Sequence, residues 1–305
     1  MPSYFMYERM KPMKTLYLEC TMGAAGDMLT AALLELHEDP EGFVNRFNAL
    51  GIPGVVMKAE PAEKCGIVGT HVSIQVQGQE EDEHMHDHVH EHEHDHEHSH
   101  DHEHSHDHEH SHDHEHEHNH NHNHDHHHDH HAHAHHHHAG MHEIEHVVEG
   151  LDLPQDVKED VLAVYHLIAE AESQSHGRPV DEIHFHEVGT MDAIADVTAV
   201  CMLMHELGAE QVLASPVHVG SGQVRCAHGI LPVPAPATAY ILRGVPIYGG
   251  RIRGELCTPT GAALLKHFVT HFGESPVITV EKIGYGMGKK DFEAANCVRA
   301  MLGEA

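Results

Sequence analysis

The stretch of sequence that decides the fold is residues 15–36, which read TLYLECTMGAAGDMLTAALLEL. It begins with an apolar run typical of a strand and turns through the glycines at 23–26. From Asp27 to Leu36 it continues in residues that favour a helix. Strand and helix patterns alternate along the rest of the chain in the same way. We therefore expect the α/β class, with a mixed sheet-and-helix core interrupted by a disordered His-rich insertion.

The same patterns predict the remaining elements. We expect helices at 41–50, 155–173, 191–207, 234–242 and 261–272, strands at 55–59, 70–76, 211–219, 276–283 and 296–302, and a short strand or extended loop at 182–188. The predicted segments are a flexible N-terminal extension (1–12), a first α/β segment (13–78), a His-rich low-complexity insertion (79–140) and the main α/β segment (141–305). Met13 is an alternative start of translation.

The composition of the insertion predicts that it binds metal ions. Of the 44 histidines in the chain, 31 lie between His84 and His138, mostly alternating with Asp or Glu. Neutral imidazole suits nickel, zinc and copper, and the sequence leaves the choice among them open. Apolar residues are too few to offset the chain entropy, so we expect disorder without metal and many exchangeable sites. These sites are represented by His84, His94, His104, His114, His124 and His136.

Composition limits the classes of partner. The formal net charge is −32, and the insertion carries 18 acidic residues and no Lys or Arg, so −14 remains elsewhere. That balance argues against nucleic acid and against an anionic membrane. No segment approaches the run of about 18 apolar residues that spans a bilayer. Six scattered cysteines without a CxxC pair favour a reducing cytoplasm.

Two glycine-rich segments could bind an anion. Residues 19–27, ECTMGAAGD, place Gly23 and Gly26 between a strand and a helix start, where free backbone N–H groups can face a phosphate. The alternative is an ordinary turn with Asp27 capping the helix. In residues 258–261, TPTG, the hydroxyls of Thr258 and Thr260 form either a cap or an anion site.

A second type of site is suggested by residues 184–192, HFHEVGTMD. In an extended segment His184 and His186 point to the same side. Asp192 and Asp196 share a helix face because they are four residues apart. Together these donors could bind nickel or zinc. The alternative is that some of them are caps and buried hydrogen-bonded groups.

The segment 220–229, GSGQVRCAHG, offers Arg225 for a forked contact with a phosphate or a carboxylate. Cys226 and His228 could act as metal ligands or in acid–base chemistry, and the alternative is a glycine-rich hairpin. The candidates for a catalytic role are Glu187, Asp192 and His228.

Taken together, the motifs carry a resemblance. LECTMGAAGDM, the His-rich insertion, HFHEVGTMDAIAD, GSGQVRCAHGILPVPAPAT, GELCTPTGAALL and IGYGMG occur in this order. Over residues 13–305 the chain resembles the LarC family of nickel insertion proteins. The resemblance implies a nickel chelatase or cyclometallase of the lyase class. Nickel enters pyridinium-3,5-bisthiocarboxylic acid mononucleotide, bonding two sulfurs and a ring carbon, while CTP is cleaved with a divalent cation such as Mg or Mn.

The resemblance also implies partners. The nickel-pincer cofactor serves lactate racemase, a candidate acceptor of the product. Family members usually continue into a C-terminal domain that binds CTP, and this chain stops at Ala305. We therefore expect a need for that domain, separate or fused. Two alternatives stay open: a nickel storage protein or metallochaperone without chemistry, and a zinc-dependent hydrolase that uses His184, His186 and Asp192 with Glu187 as base.

Overall fold

The computed structural model describes residues 12–80, 140–183, 185, 189–226 and 229–305. The predictions for the N-terminal extension and for most of the His-rich insertion lie outside these residues. The strands are β1 (Lys14–Glu19), β2 (Val55–Lys64), β3 (Ile67–Val76), β4 (Gln79–Glu80), β5 (Gln211–Ala214), β6 (Val217–His218), β7 (Gly220–Ser221), β8 (Gln223–Cys226), β9 (Gly229–Pro232), β10 (Ile247–Tyr248), β11 (Gly254–Glu255), β12 (His271–Phe272), β13 (Thr279–Met287) and β14 (Cys297–Glu304). The helices are α1 (Gly26–Leu36), α2 (Pro40–Ala49), α3 (Met141–Gly150), α4 (Gln155–His176), α5 (Met191–Leu207), α6 (Pro236–Ile241) and α7 (Pro259–Phe268), with a 3-10 turn at Val180–Glu182.

One mixed sheet organises the structure, in the order β12-β5-β1-β14-β13-β3-β2, with β4 paired to β3. The interior strand β1 is antiparallel to β14 and parallel to β5. Strands from before and after the insertion therefore belong to a single sheet, because β3 pairs with β13. The predicted α/β class is confirmed.

Most predicted elements are confirmed, and α5 has the predicted bounds. The strands predicted at 55–59 and 70–76 were too short. They form one hairpin of ten pairs, from Val55 opposite Val76 to Lys64 opposite Ile67. The tight turn between them has positive φ at Cys65 and Gly66. The apolar pattern did not indicate the full length of this hairpin, because charged residues interrupt the pattern along its exposed strands.

Three other differences follow from tertiary packing. The helix predicted to reach residue 272 ends at Phe268, because His271 and Phe272 pair with β5 as strand β12. The strand predicted at 211–219 is interrupted after Ala214, and its second part pairs with β10. Helix α3 was not predicted, although Ile144 and Val148 lie four residues apart and are both buried.

Helix α1 lies at the centre of the core. It packs against β13 on one side and α5 on the other, and nine of its eleven residues are buried. The approach to β13 is close, because a Cβ added at Gly286 would lie 1.9 Å from the Met28 carbonyl oxygen. The same atom at Gly284 would lie 2.2 Å from the Ala32 carbonyl oxygen. Glycine on β13 thus allows backbone to contact backbone.

Among the residues that the structure describes, no helix is long and apolar enough to cross a membrane.

We expect Gly286→Ala to lower the free energy of unfolding by at least about 2 kcal/mol, because α1 must move away from β13 to admit the methyl group. The matched control is Gly150→Ala at the end of α3, where an added Cβ meets nothing within 4 Å. That variant should change stability by less than about 1 kcal/mol. Urea unfolding followed by circular dichroism measures both, and equal stability of the two variants would contradict the packing argument.

Candidate functional site

The turn between β1 and α1 is held by a second loop. Gly23 has φ +82°, and a Cβ there would lie 1.8 Å from the Leu256 carbonyl oxygen, so this position requires glycine. Ala24 N–H donates to the Leu256 oxygen at 3.0 Å, and Thr258 N–H donates to the Ala24 oxygen at 3.0 Å. Two segments that are distant in sequence are thereby joined as a short parallel bridge.

The bridge brings the N-termini of α1 and α7 together. Thr258 caps α7, because its hydroxyl accepts a hydrogen bond from Gly261 N–H at 3.1 Å and lies 3.0 Å from the Thr260 hydroxyl. Helix α1 has no such side-chain cap: its N-cap residue is Ala25, and the suggestion that Asp27 caps it is wrong. Asp27 lies inside the first turn of α1, where its Oδ1 accepts from Met28 N–H at 2.8 Å.

Helix α5 adds carboxylates to this region. Asp196 packs against Gly26, where an added Cβ would lie 2.7 Å from Asp196 Oδ2. The Oδ1 of Asp196 is buried and has no hydrogen-bond partner among the described residues. Burial raises the pKa of this carboxyl well above its usual range, and Asp27 and Asp192 raise it further, while Lys289 opposes them. The predicted proximity of Asp192 and Asp196 is therefore found, next to the Gly26 turn.

A small cavity of about 70 Å³ opens beside the start of α1. The loop that follows β13 forms one wall and contributes Lys289 and Lys290. The opposite wall includes Asp27, Glu255 and Thr258. Two ammonium groups and two adjacent helix N-termini are the features that attract an anion in proteins.

The two lysines of this cavity were not predicted as site residues. A usable signal was present, because a Lys pair directly follows the glycine-rich GYGMG segment in a chain with only 17 basic residues.

The loop that carries the two lysines is fixed by its neighbours. Lys64, at the end of β2, donates to the carbonyl oxygens of Lys289 at 3.2 Å and Lys290 at 3.4 Å, and pairs with the Asp291 carboxylate. Asn296 is buried, and its side-chain amide donates to the Lys290 oxygen at 2.9 Å. Lys64 therefore joins the β2–β3 hairpin to the loop that lines the cavity.

A buried group lies behind the glycine turn. Cys20 is fully buried, which raises the pKa of its thiol to about 12, and burial also raises the pKa of the Cys257 thiol. His218 is 6% exposed, and its Nδ1 has no hydrogen-bond partner in the described part of the chain. Burial lowers the pKa of this imidazole. Both thiols thus stay protonated, and the imidazole stays neutral and able to accept a proton.

Arg225 is separate from this arrangement. It is exposed on the β8–β9 hairpin, where it lies opposite Ile230, and its side chain has no hydrogen bond or ion pair with any described residue. The strand before this hairpin, β7, pairs with β11, and Glu255 at the end of β11 lines the cavity. Its predicted role in binding an anion stays a prediction.

The predicted histidine ligands lie outside the described residues. This applies to His184, His186 and the insertion histidines, and to the catalytic candidates Glu187 and His228. Within the described ranges, no group of three or more His, Cys, Asp or Glu side chains is placed to hold a metal ion. Metal binding by Asp192 and Asp196 together with the two histidines stays a prediction.

Comparison with known proteins gives consistent results. A family described as nickel insertion protein matches residues 16–305. A pyridinium-3,5-bisthiocarboxylic acid mononucleotide nickel insertion protein from Clostridium kluyveri is 36% identical over 293 residues, covering 96% of this chain and 62% of the relative. A protein of the same name from Desulfitobacterium hafniense is 46% identical over 164 residues, covering 54% of this chain and 41% of the relative. The chain thus spans less than two thirds of these relatives, and no solved structure matches it.

The raised pKa of Asp196 predicts a dependence of stability on pH. The folded state holds the Asp196 proton to higher pH than the unfolded state, whose carboxyl has its ordinary pKa of 3.8, so stability is lost as pH rises from that value through the folded pKa. Asp196→Asn should therefore stabilise the metal-free protein at pH 8 by on the order of 1–3 kcal/mol, because the amide is neutral at every pH, whereas the carboxyl must take up a proton or be buried charged.

Urea unfolding between pH 4 and pH 8 in the presence of a chelator measures this difference. The gain from Asp196→Asn should shrink toward pH 4, where the carboxyl is protonated in both states. Asp181→Asn, at an exposed position, is the control and should show no such trend. A gain that grows toward low pH would contradict the assigned direction of the shift.

Proposed function

The chain belongs to the nickel insertion protein family, and on that basis we propose that it takes part in inserting nickel into pyridinium-3,5-bisthiocarboxylic acid mononucleotide. The observation that carries the proposal is the cavity lined by Lys289, Lys290 and the joined N-termini of α1 and α7. The precursor carries a phosphate and two thiocarboxylates, and the lysines and helix N-termini can attract one such anionic group into this small cavity.

The carboxylates beside the cavity suit the metal. Asp27 would repel a bare anion, but a divalent cation between Asp27 and the thiocarboxylates would turn that repulsion into attraction. In the proposal, Asp192 and Asp196 supply further oxygen donors, and His184 and His186 supply imidazoles. Loss of the ring proton requires a base, for which the candidates from the sequence are Glu187, Asp192 and His228.

We assign the collection of nickel to the His-rich insertion. Its 31 histidines offer many exchangeable imidazole sites, and they must be neutral to bind, so nickel should be released as the pH falls through about 6.5.

The nucleotide step is assigned to another domain. The sequence contains no Walker A loop, the glycine-rich segment that commonly binds a nucleoside triphosphate. We propose that CTP and its Mg or Mn ion bind to the C-terminal part of the longer relatives, and that the complete reaction belongs to the lyase class, takes place in the cytoplasm and supplies lactate racemase. The competing function is nickel storage without chemistry.

We predict that Lys289→Ala combined with Lys290→Ala weakens binding of the mononucleotide by about ten- to a hundredfold, since each ammonium contributes a charge-assisted hydrogen bond. Isothermal titration with the free mononucleotide measures this. Lys58→Ala combined with Arg178→Ala removes the same charge from exposed positions and should have little effect. Lys64→Met should weaken binding of the mononucleotide by a smaller factor, and Lys64→Arg should retain the original affinity. Equal affinities of all variants would exclude this cavity as the binding site.

We predict that deleting 84–138 leaves a protein that melts cooperatively but has lost most of its bound nickel. It should retain some insertion activity when nickel is abundant, because the deleted residues only gather the metal. Equilibrium dialysis with nickel and a thermal melt test the two halves of this prediction. Loss of the cooperative melt would show that the insertion is needed for folding.

The deciding experiment combines the purified chain with nickel, CTP, a divalent cation and the mononucleotide, with and without the C-terminal domain of a relative. We expect the nickel-pincer product and CTP cleavage only when that domain is present. Product from the chain alone would place the nucleotide site in this chain. Nickel binding without product in either mixture would favour storage.

A further inference from the structure

A second surface lies away from the cavity at Lys289 and shares no lining residue with it. It is a groove of about 410 Å³ between helices α1 and α2 and the β2–β3 hairpin. Its apolar lining includes Leu34 and Val44, and Ala59 borders it on β2. Glu41 and Glu60 are exposed residues that also border the groove. Because side chains alternate along a strand, the Glu60 carboxylate lies on the opposite face of β2 from Ala59. The groove is therefore apolar inside and has acidic residues around it.

The strand beside this groove has an edge that no described strand pairs with. Among the described residues, β2 is the last strand of the sheet and pairs with β3 alone. Met57 N–H donates to the Asn48 side-chain oxygen at 2.8 Å, and the Met57 carbonyl oxygen accepts from the Asn48 amide at 3.0 Å. The backbone of Met57 therefore faces away from β3, and the side-chain amide of Asn48 takes the place of a neighbouring strand.

Pro61 independently indicates which residues of β2 direct their backbone groups away from β3. Proline has no N–H, so within a strand it is tolerated where the ladder needs no donor. Pro61 must then face outward, as Met57 does, and the register between β2 and β3 continues without a shift from Val55 to Lys64. Ala59 lies between them, so its backbone N–H and C=O also point away from β3. Ala59 also borders the groove. No described residue hydrogen-bonds its outward N–H and C=O.

A second copy of this chain is a poor occupant of the edge. Antiparallel pairing centred on Ala59 would bring Pro61 of one copy opposite Met57 of the other, where Asn48 already occupies the edge. Centring the pair on Pro61 instead would set Lys58 directly opposite Lys64, which is unfavourable for like charges.

We propose that the β2 edge and the groove bind a short extended segment of another polypeptide, in which basic and apolar residues alternate. The residue opposite Ala59 exchanges two backbone hydrogen bonds with it and places an apolar side chain in the groove, against Leu34 and Val44. Its neighbours in the segment point to the other face of the strand. There a Lys or Arg lies across from Glu60. This proposal is independent of nickel insertion.

The test uses the peptide acetyl-Lys-Val-Lys-Val-Lys-amide and the full ¹⁵N-labelled chain. We expect saturable shifts of the Ala59 and Glu60 amide signals. N-methylation of both valines removes the N–H groups that face β2 and should weaken binding by about tenfold or more. N-methylation of the first and third lysines leaves those groups intact and should change the affinity by less than about threefold.

Protein variants separate charge from backbone pairing. Glu41→Gln with Glu60→Gln should weaken binding several-fold, whereas Glu145→Gln with Glu159→Gln, elsewhere on the surface, should not. Absence of saturable binding, equal losses from the two methylation patterns, or shifts confined to another surface would each overturn the proposal. The last two outcomes would indicate charge-driven adsorption to an acidic protein.

Discussion

The close packing of α1 against its neighbours is the constraint on which the site depends. The carbonyl oxygen of Met28 occupies space that a side chain on Gly286 would need, and Asp196 occupies the corresponding space at Gly26. Because β13 meets α1 backbone to backbone and the Asp196 side chain fills the space beside Gly26, the start of α1 cannot shift without moving β13 or α5. The position of Asp27 is thereby fixed relative to the lysine loop that follows β13.

Local sequence signals were sufficient to predict much of this arrangement. The strand, the glycine turn and the helix at 15–36 are visible because apolar periodicity and glycine report on backbone conformation within a few residues. The same is true of α5, an almost continuous apolar run that ends at Gly208 with positive φ. Asp192 and Asp196 could be placed on one face because helical spacing alone determines it.

Long-range contacts decided what could not be predicted. Lys289 reaches the cavity because β13 lies beside β3 and under α1, and this strand order is not encoded in local periodicity. The raised pKa of Asp196 depends on its contact with Gly26, about 170 residues away in sequence. His271 and Phe272 continue a helical pattern but pair with β5, since the free edge of that strand gains more from backbone hydrogen bonds than the helix would from another turn.

The charges around the cavity imply that metal and anion bind together in the proposed reaction. Burial raises the pKa of Asp196, Asp27 and Asp192 raise it further, and Lys289 only partly offsets them. An anion entering alone meets Asp27, and a cation entering alone meets Lys289 and two helix N-termini. A divalent cation chelated by the thiocarboxylates satisfies both sets of charges at once. Each ligand then raises the affinity for the other by the same factor, as linkage requires, so the folded part would favour the nickel-loaded mononucleotide over either component.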